Sequence, residues 1–325
     1  MKRISVYDAV GETLCHDMTA IRPDGFKGVA FRRGHVLSEA DIPMLLDMGK
    51  SHIFVWTPNQ DEVHEEDAGR VGALALAGEG VAFSYAGEGR WTLEAQQDGL
   101  LVIDSATLRM LNEIPDYTAA TLPNYVTVST NERIAGVRII PLVTAQENVS
   151  TVEALTKTHG AILHVYPFRP LRVGCIITGS EVFEGRVKDR FEPVLREKIA
   201  EYDGEILGVT KCPDDVTAIL QAAQDFLDSG AQLLLFTGGM SVDPDDLTPT
   251  AIRQSGAELV AQGVPVQPGN MLMLAYLENT ALIGVPGAAM HHGVTSLDLI
   301  LPRIFAGICI TRDDLLSLGE GGLLL

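Results

Sequence analysis

The residues best suited to chemistry lie in one short segment between an apolar run and a predicted helix. Three leucines and a phenylalanine at 233–236 are followed by the glycine-containing stretch 237–241, and then by the carboxylates Asp243, Asp245 and Asp246. An apolar run of this length predicts a strand that is buried on both faces. Paired glycines let the backbone approach a ligand closely. Such a loop at the carboxyl edge of a sheet, running into a helix, can hold an anion such as phosphate.

The carboxylates in this segment need a separate explanation, because they would repel a bare phosphate. A divalent cation, most simply Mg²⁺, would resolve the conflict by lying between carboxylate and phosphate oxygens. The alternative is that the two glycines form a plain turn and the aspartates a solvated loop. Taken alone, the segment leaves both interpretations open.

Three other loops are predicted to follow strands of the same sheet. They are residues 178–181, 213–215 and 284–287. Because ligands of open α/β sheets bind outside the carboxyl ends of the strands, these loops favour a shared site. Asp214 could instead be an ordinary helix N-cap, and Glu181 a solvated loop residue.

Strand and helix patterns alternate downstream of the prolines at 167 and 170. We predict strands at 171–178, 205–209 and 233–236, a hairpin from 271–277 and 280–285, and helices at 191–202, 250–254 and 288–305. A further helix has apolar residues at helical spacing over 216–227 and is capped by Asp214 or Asp215. This alternation predicts an α/β fold, a three-layer sandwich with a mostly parallel sheet. Residues 1–166 are predicted to form an N-terminal mixed β-rich module with a helix at 38–48, residues 167–310 the α/β domain, and residues 311–325 a C-terminal tail. The Gly/Leu-rich part after Leu318 is expected to be poorly ordered.

Composition narrows the possible partners. The chain has 325 residues, 46% of them hydrophobic and 21% charged, and a net charge of −19. This balance indicates a packed globular protein of about two domains and argues against binding to nucleic acid or to an anionic membrane. The four cysteines form no C-x-x-C pair, the N-terminus lacks a signal-peptide pattern, and no segment is apolar enough to span a bilayer. We therefore expect a cytoplasmic protein with reduced thiols.

Five short motifs of the C-terminal half point to a known family. They are Thr178-Gly179-Ser180-Glu181, Pro213-Asp214-Asp215, Thr237-Gly238-Gly239-Met240-Ser241, Asp245-Asp246-Leu247-Thr248-Pro249 and Gly284-Val285-Pro286-Gly287. Together they resemble the molybdopterin-binding domain. That domain is shared by molybdopterin molybdenumtransferases, molybdopterin adenylyltransferases and the competence-damage-inducible nucleotide pyrophosphatases. Residues 31–49 more faintly resemble a linker segment of the molybdenumtransferases, while residues 57–166 match no motif.

The resemblance implies a molybdopterin-binding protein acting in molybdenum cofactor biosynthesis, similar to the molybdenumtransferases. Its ligand would be molybdopterin or adenylylated molybdopterin, a small-molecule pterin phosphate, with Mg²⁺ as the cation. The implied cofactor-binding residues are Thr178, Gly179, Thr237, Gly238, Gly239, Ser241, Pro286 and Gly287. The implied metal ligands are Asp214, Asp245 and Asp246, and Glu181 and Asp246 would serve catalysis. By the same analogy we expect a homodimer.

Two departures from the transferase pattern keep other functions open. Gln267 and Asn270 stand where the transferases carry lysines, and Ala288 replaces an asparagine. Because those lysines would hold an anion by point charge, their absence predicts weak or absent molybdate insertion. One alternative is an Mg²⁺-dependent nucleotide pyrophosphatase or molybdopterin adenylyltransferase, which the Asp245-Asp246-Leu247-Thr248 match favours. The other is a non-catalytic carrier or sensor of the cofactor, which the missing lysines favour.

Overall fold

The computed structural model describes residues 2–21, 27–56, 60–240 and 246–324. The chain forms two compact units, Met1–Tyr166 and Pro167–Leu325. Each unit has hydrophobic clusters of its own. In the part of the chain that is described, no helix is long and apolar enough to cross a membrane.

The first unit is rich in short strands. Its strands are β1 (Lys2–Ser5), β2 (Met18–Ile21), β3 (Lys27–Phe31), β4 (His52–Val55), β5 (Glu62–His64), β6 (Val81–Gly87), β7 (Arg90–Ala95), β8 (Gly99–Ile103), β9 (Tyr117–Thr121), β10 (Thr127–Val128), β11 (Arg133–Ile139), β12 (Val143–Ala145) and β13 (Leu163–Tyr166). Its helices are α1 (Ile42–Asp47), α2 (Glu65–Leu76), α3 (Ser105–Glu113) and α4 (Gln146–His159). The strands pair into small sheets ordered β1-β4, β2-β3, β5-β12, β6-β7-β11-β9 and β10-β8-β13. This mixed, β-rich architecture agrees with the sequence prediction.

The second unit is built around a single larger sheet. Its strands are β14 (Arg172–Thr178), β15 (Glu205–Cys212), β16 (Leu233–Thr237), β17 (Glu258–Gln262), β18 (Met273–Leu277) and β19 (Thr280–Gly284). Its helices are α5 (Ser180–Phe183), α6 (Phe191–Ala200), α7 (Val216–Asp228), α8 (Thr248–Gln254), α9 (Ser296–Phe305) and α10 (Arg312–Ser317).

The sheet of the second unit runs in the order β15-β14-β16-β19-β18-β17. The first four strands are mutually parallel, and β18 pairs antiparallel with both β19 and β17. Side chains of α6 and α9 belong to the apolar cluster on one face, and side chains of α7 and α8 belong to the cluster on the other. The predicted three-layer sandwich with a mostly parallel sheet is confirmed.

The segment 288–305 differs from its prediction as one continuous helix. The chain instead makes a 3₁₀ turn at Gly287–Met290 and begins α9 only at Ser296. The side chain of Asp298 accepts hydrogen bonds from the amide and the hydroxyl of Thr295, at 2.7 and 3.1 Å, in a capping box. A cap of this kind fixes a new helix start, so the polar stretch before it stays outside the helix.

Asp298 also connects α9 to α6. The Lys198 ammonium on α6 forms an ion pair with the Asp298 carboxylate and donates to the Gly293 carbonyl oxygen at 3.1 Å. Lys198 is only 7% exposed. A buried ammonium is costly unless it is paired, so this contact favours one relative position of the two helices.

The region after Ile310, predicted as a C-terminal tail, contains the helix α10. Thr311 and Asp314 form a capping box at the start of α10, and Leu315 is buried. Farther along, the Leu324 amide donates to the Gln267 carbonyl oxygen at 2.7 Å. The leucines supply apolar contacts with the core of the second unit, which the short repetitive composition did not reveal.

Candidate functional site

A cavity of about 530 Å³ lies at the carboxyl ends of β14 and β16. This volume is typical of small-molecule sites. Among the described residues it is lined by Ile177, Thr178, Glu181, Val182, Val187, Lys188, Asp189, Arg190, Phe191, Gly238, Gly239, Met240, Asp246, Met271, Gly287 and Met290. Loops that are far apart in the sequence therefore meet at one edge of the sheet, as the parallel topology requires.

The loop after β16 depends on its two glycines. Gly238 has φ +84° and Gly239 has φ +50°, the left-handed region that side chains other than glycine rarely adopt. A Cβ on Gly238 would collide with the carbonyl oxygen of Thr178, and one on Gly239 would lie 3.3 Å from the Thr248 hydroxyl. Both glycines border the cavity, so their backbone forms part of its wall.

Three buried threonines hold this loop against its neighbours. The Thr178 hydroxyl donates to the Thr237 carbonyl oxygen at 3.1 Å and lies 3.0 Å from the Thr248 hydroxyl. Thr237 and Thr248 are both 0% exposed. The Thr237 hydroxyl has no hydrogen-bond partner among the residues that the structure describes. A buried polar group in that state is rare in proteins and suggests a binding or positioning role.

The loop after β14 is fixed by a contact that the sequence did not reveal. The Asp214 carboxylate accepts from the backbone amide and the hydroxyl of Ser180, at 2.8 and 3.0 Å. Gly179, with φ +135°, leads directly into the one-turn helix α5. Asp214 therefore joins this loop to the one after β15. Asp215 is the residue that caps α7, and its carboxylate accepts from the Ala218 amide at 2.8 Å.

The chain then folds back towards the cavity. The Glu181 carbonyl oxygen accepts from the amides of Arg186 and Val187, at 2.9 and 3.1 Å. The Asp189 carboxylate accepts from the Phe191 amide at 2.8 Å, at the first turn of α6. As a result Lys188 and Arg190, on either side of Asp189, line the cavity. Sequence analysis missed both cations.

The predicted site residues fall into three groups. Thr178, Glu181, Gly238, Gly239, Asp246 and Gly287 line the cavity, whereas Gly179, Thr237, Pro286 and Asp214 are adjacent in sequence or support its loops. Ser241 and Asp245 lie outside the described residues. Besides the two cations, the sequence did not indicate Met271 and Met290, whose thioether side chains have no motif to mark them.

The predicted metal ligands are not gathered within the described part of the chain. No group of three or more His, Cys, Asp or Glu side chains placed to hold a metal ion occurs there. Asp214 hydrogen-bonds Ser180, and Asp246 lines the cavity. A magnesium site supplied by protein side chains alone therefore finds no support among these residues.

Comparison with known families identifies the second unit. Residues 174–306 match the family model described as "Probable molybdopterin binding domain". That range contains the sheet except for the first two residues of β14, and it contains all described residues that line the cavity. The match to the molybdopterin-binding domain family thus lies entirely within the second unit. In the first unit, residues 3–57 match a domain of unknown function (DUF8806).

Curated relatives match less than half of the chain in the two examples that follow. A molybdopterin molybdenumtransferase from Synechococcus elongatus is 30% identical over 146 residues, which cover 42% of this chain and 36% of the relative. A CinA-like protein from Mycobacterium tuberculosis is 34% identical over 90 residues, covering 27% of this chain and 21% of that protein. The matched parts are thus about a third and a fifth of the relatives' lengths.

The solved structures that the chain matches include two molybdopterin biosynthesis proteins. The enzyme MoaB from Thermus thermophilus is 23% identical, with 41% of this chain and 91% of that chain covered and a TM-score of 0.35. The MoeA protein from Pyrococcus horikosii is 13% identical, with 94% and 74% covered and a TM-score of 0.35.

Proposed function

We propose that the chain binds molybdopterin in the cavity at the carboxyl ends of β14 and β16 and acts in molybdenum cofactor assembly, as a molybdenumtransferase-like protein. The observation that carries this proposal is the lining of the cavity, in which Thr178, Glu181, the two glycines and Gly287 come together. A glycine loop, a neighbouring hydroxyl and an apolar wall suit a flat heterocycle that bears a phosphate.

The proposed roles follow from what each group can donate or accept. The backbone amides near Gly238 and Gly239 would donate to the terminal phosphate, since no side chain blocks them. Thr178 and Glu181 would contact the remainder of the ligand, and Met271 and Met290 would pack against its ring. Asp246, together with phosphate oxygens of the ligand, would hold Mg²⁺, which would neutralise phosphate charge.

A glycine substitution tests the binding site. Gly238→Ala should place a methyl group against the Thr178 carbonyl and distort the loop, so molybdopterin affinity should fall by at least about tenfold. Gly256→Ala is a matched control, because Gly256 has the same φ of +84° but no heavy atom within 4 Å of the point where the added methyl carbon would lie. Fluorescence titration with molybdopterin measures both variants. Equal affinities would place the ligand elsewhere.

Magnesium dependence is tested by comparing titrations in Mg²⁺ and in chelator. The native protein should bind molybdopterin more tightly with Mg²⁺, and Asp246→Asn should lose most of that difference. Glu184→Gln is a suitable control, because Glu184 is exposed and pairs with Arg186 outside the cavity lining. Identical titration curves of the native protein with Mg²⁺ and with chelator would show that Mg²⁺ has no role in molybdopterin binding.

A second candidate function is an Mg²⁺-dependent nucleotide pyrophosphatase or a molybdopterin adenylyltransferase. The similarity to the CinA-like protein favours it, together with the Asp245-Asp246-Leu247-Thr248-Pro249 motif. Incubation with molybdopterin, ATP and Mg²⁺ separates the candidates. Adenylylated product or phosphate release would favour the second one. The expected homodimer can be checked by sedimentation equilibrium.

A further inference from the structure

We infer that Lys188 and Arg190 form an oxyanion-binding rim of the cavity and receive a tetrahedral metal oxyanion such as molybdate. This inference rests on the proposed function and assigns the cations that molybdate binding requires. Both residues line the cavity together with Glu181 and Asp246. No family motif in the sequence includes either of them.

Lys188 and Arg190 decide whether the cavity can accept an anion, because they offset the negative charge of its lining. The described lining contains three carboxylates, those of Glu181, Asp189 and Asp246, and its cations are Lys188 and Arg190. Without the two cations, the charged side chains of the described lining would all be negative and would repel a doubly charged oxyanion. With them, a planar guanidinium can form two hydrogen bonds to one oxyanion, and an ammonium adds a point charge.

The two cationic side chains are available for a ligand. Among the described residues, neither Lys188 nor Arg190 takes part in an ion pair, in contrast to Arg186 in the same loop, which pairs with Glu184 at 2.6 Å. The nearest carboxylate in sequence, Asp189, instead accepts from the amides of Phe191 and Glu192. The aspartate of this loop is therefore engaged at the start of α6, and Lys188 and Arg190 are the loop cations that line the cavity.

The positions where the transferases carry lysines contribute no charge here. Within the described part of the chain, neither Gln267 nor Asn270 lines the cavity, although the neighbouring Met271 does. Gln267 accepts from Leu324 and donates to the Gly322 carbonyl oxygen through its backbone. On this proposal the cations that receive molybdate come from the loop before α6, so molybdate should bind despite the missing lysines.

The test measures molybdate binding by equilibrium dialysis, with and without saturating molybdopterin. The variant Lys188→Gln with Arg190→Gln should bind molybdate at least about tenfold more weakly than the native protein, and its affinity should depend less on salt. Lys188→Arg should retain most of the affinity, because it keeps the charge. Arg186→Gln with Arg196→Gln is the matched control, since it removes two exposed cations from the same loop and helix outside the lining.

Each outcome decides one of the two proposals. If the double variant binds molybdate within twofold of the native affinity, Lys188 and Arg190 do not form an oxyanion-binding rim, even if molybdopterin binds normally. Molybdate binding that depends on the two cations, in a protein that fails to bind molybdopterin, would support the rim and overturn the proposed function. Inorganic phosphate is the competing probe. If it binds in a manner that depends on the two cations while molybdate does not bind, the assignment to a metal oxyanion is wrong.

Discussion

The Thr237 side chain affects the stability of the glycine loop in the absence of a ligand. The Thr237 hydroxyl is fully buried, yet no described residue hydrogen-bonds to it. Burying a hydroxyl without a partner lowers the free energy of unfolding by an amount on the order of 1–3 kcal/mol. The loop therefore carries an energetic cost that a bound ligand, or a rearrangement of the loop, can recover.

Replacement of Thr237 by valine should have opposite effects on stability and on binding. Thr237→Val keeps the shape but removes the unpaired hydroxyl, so the ligand-free protein should become more stable by about 1 kcal/mol. Molybdopterin binding should weaken severalfold if the hydroxyl serves the ligand. Chemical denaturation and titration measure the two effects. Thr248→Val is the comparison for stability, because the Thr248 hydroxyl lies 3.0 Å from that of Thr178 and its loss should lower stability, not raise it.

Glu65 gives the first unit a dependence on pH. It is 3% exposed and lies 3.5 Å from Arg138, and burial raises the pKa of its carboxyl above the ordinary value. The folded state therefore favours the protonated form, so the contribution of Glu65 to stability is greatest below about pH 4.5 and is lost as pH rises through the raised pKa. Glu65→Gln should gain stability relative to native as pH rises from about 4 to about 7. A constant difference in denaturation midpoints would contradict this expectation.

Lys188 and Arg190 mark the limit of sequence analysis at the residue scale. Residues that directly follow a strand, such as Thr178 and Gly238, could be placed at the sheet edge from the pattern alone. Lys188 lies ten residues after β14, and it reaches the cavity because the Glu181 carbonyl accepts from two amides of the returning chain. Such backbone contacts leave no pattern in the sequence.

At the scale of elements, α6 positions the cationic loop. Asp189 accepts from the amides of Phe191 and Glu192, which fixes the backbone between Lys188 and Arg190. Asp189→Ala should cost about 1 kcal/mol of stability through the lost cap and should weaken molybdate binding. Asp189→Asn should restore stability, because asparagine also caps helices. Equal molybdate affinity in all three proteins would show that the loop does not need this anchor.

Elements whose apolar residues recur at regular spacing could be predicted from the sequence. Helix boundaries that depend on polar contacts could not. The buried strand at 233–237, the hairpin around Glu278 and the helix from Val216 follow directly from spacing and turn residues. The break before α9 was not predicted, because it depends on the capping box in which the Asp298 carboxylate accepts a hydrogen bond from the Thr295 amide. The helix α10 escaped for a similar reason, since its cap is the pair Thr311 and Asp314.

At the scale of the molecule, the two units have separate cores. We therefore expect residues 167–325 to fold alone, with molybdopterin affinity within about threefold of the full chain. Thermal denaturation and titration of this fragment check both statements. A folded fragment that no longer binds would assign part of the site to residues 1–166, in the same chain or in a second subunit.

The ion pair between Lys198 and Asp298 has a consequence for the width of the cavity. The loop that carries Lys188 and Arg190 runs into α6, and the turn that carries Gly287 and Met290 precedes α9. Asp298 both caps α9 and pairs with a lysine of α6. This ion pair therefore links the two helices that follow the cavity-lining loops. A displacement of either helix by a ligand would be transmitted to the other, so the entrance would widen or narrow as one unit.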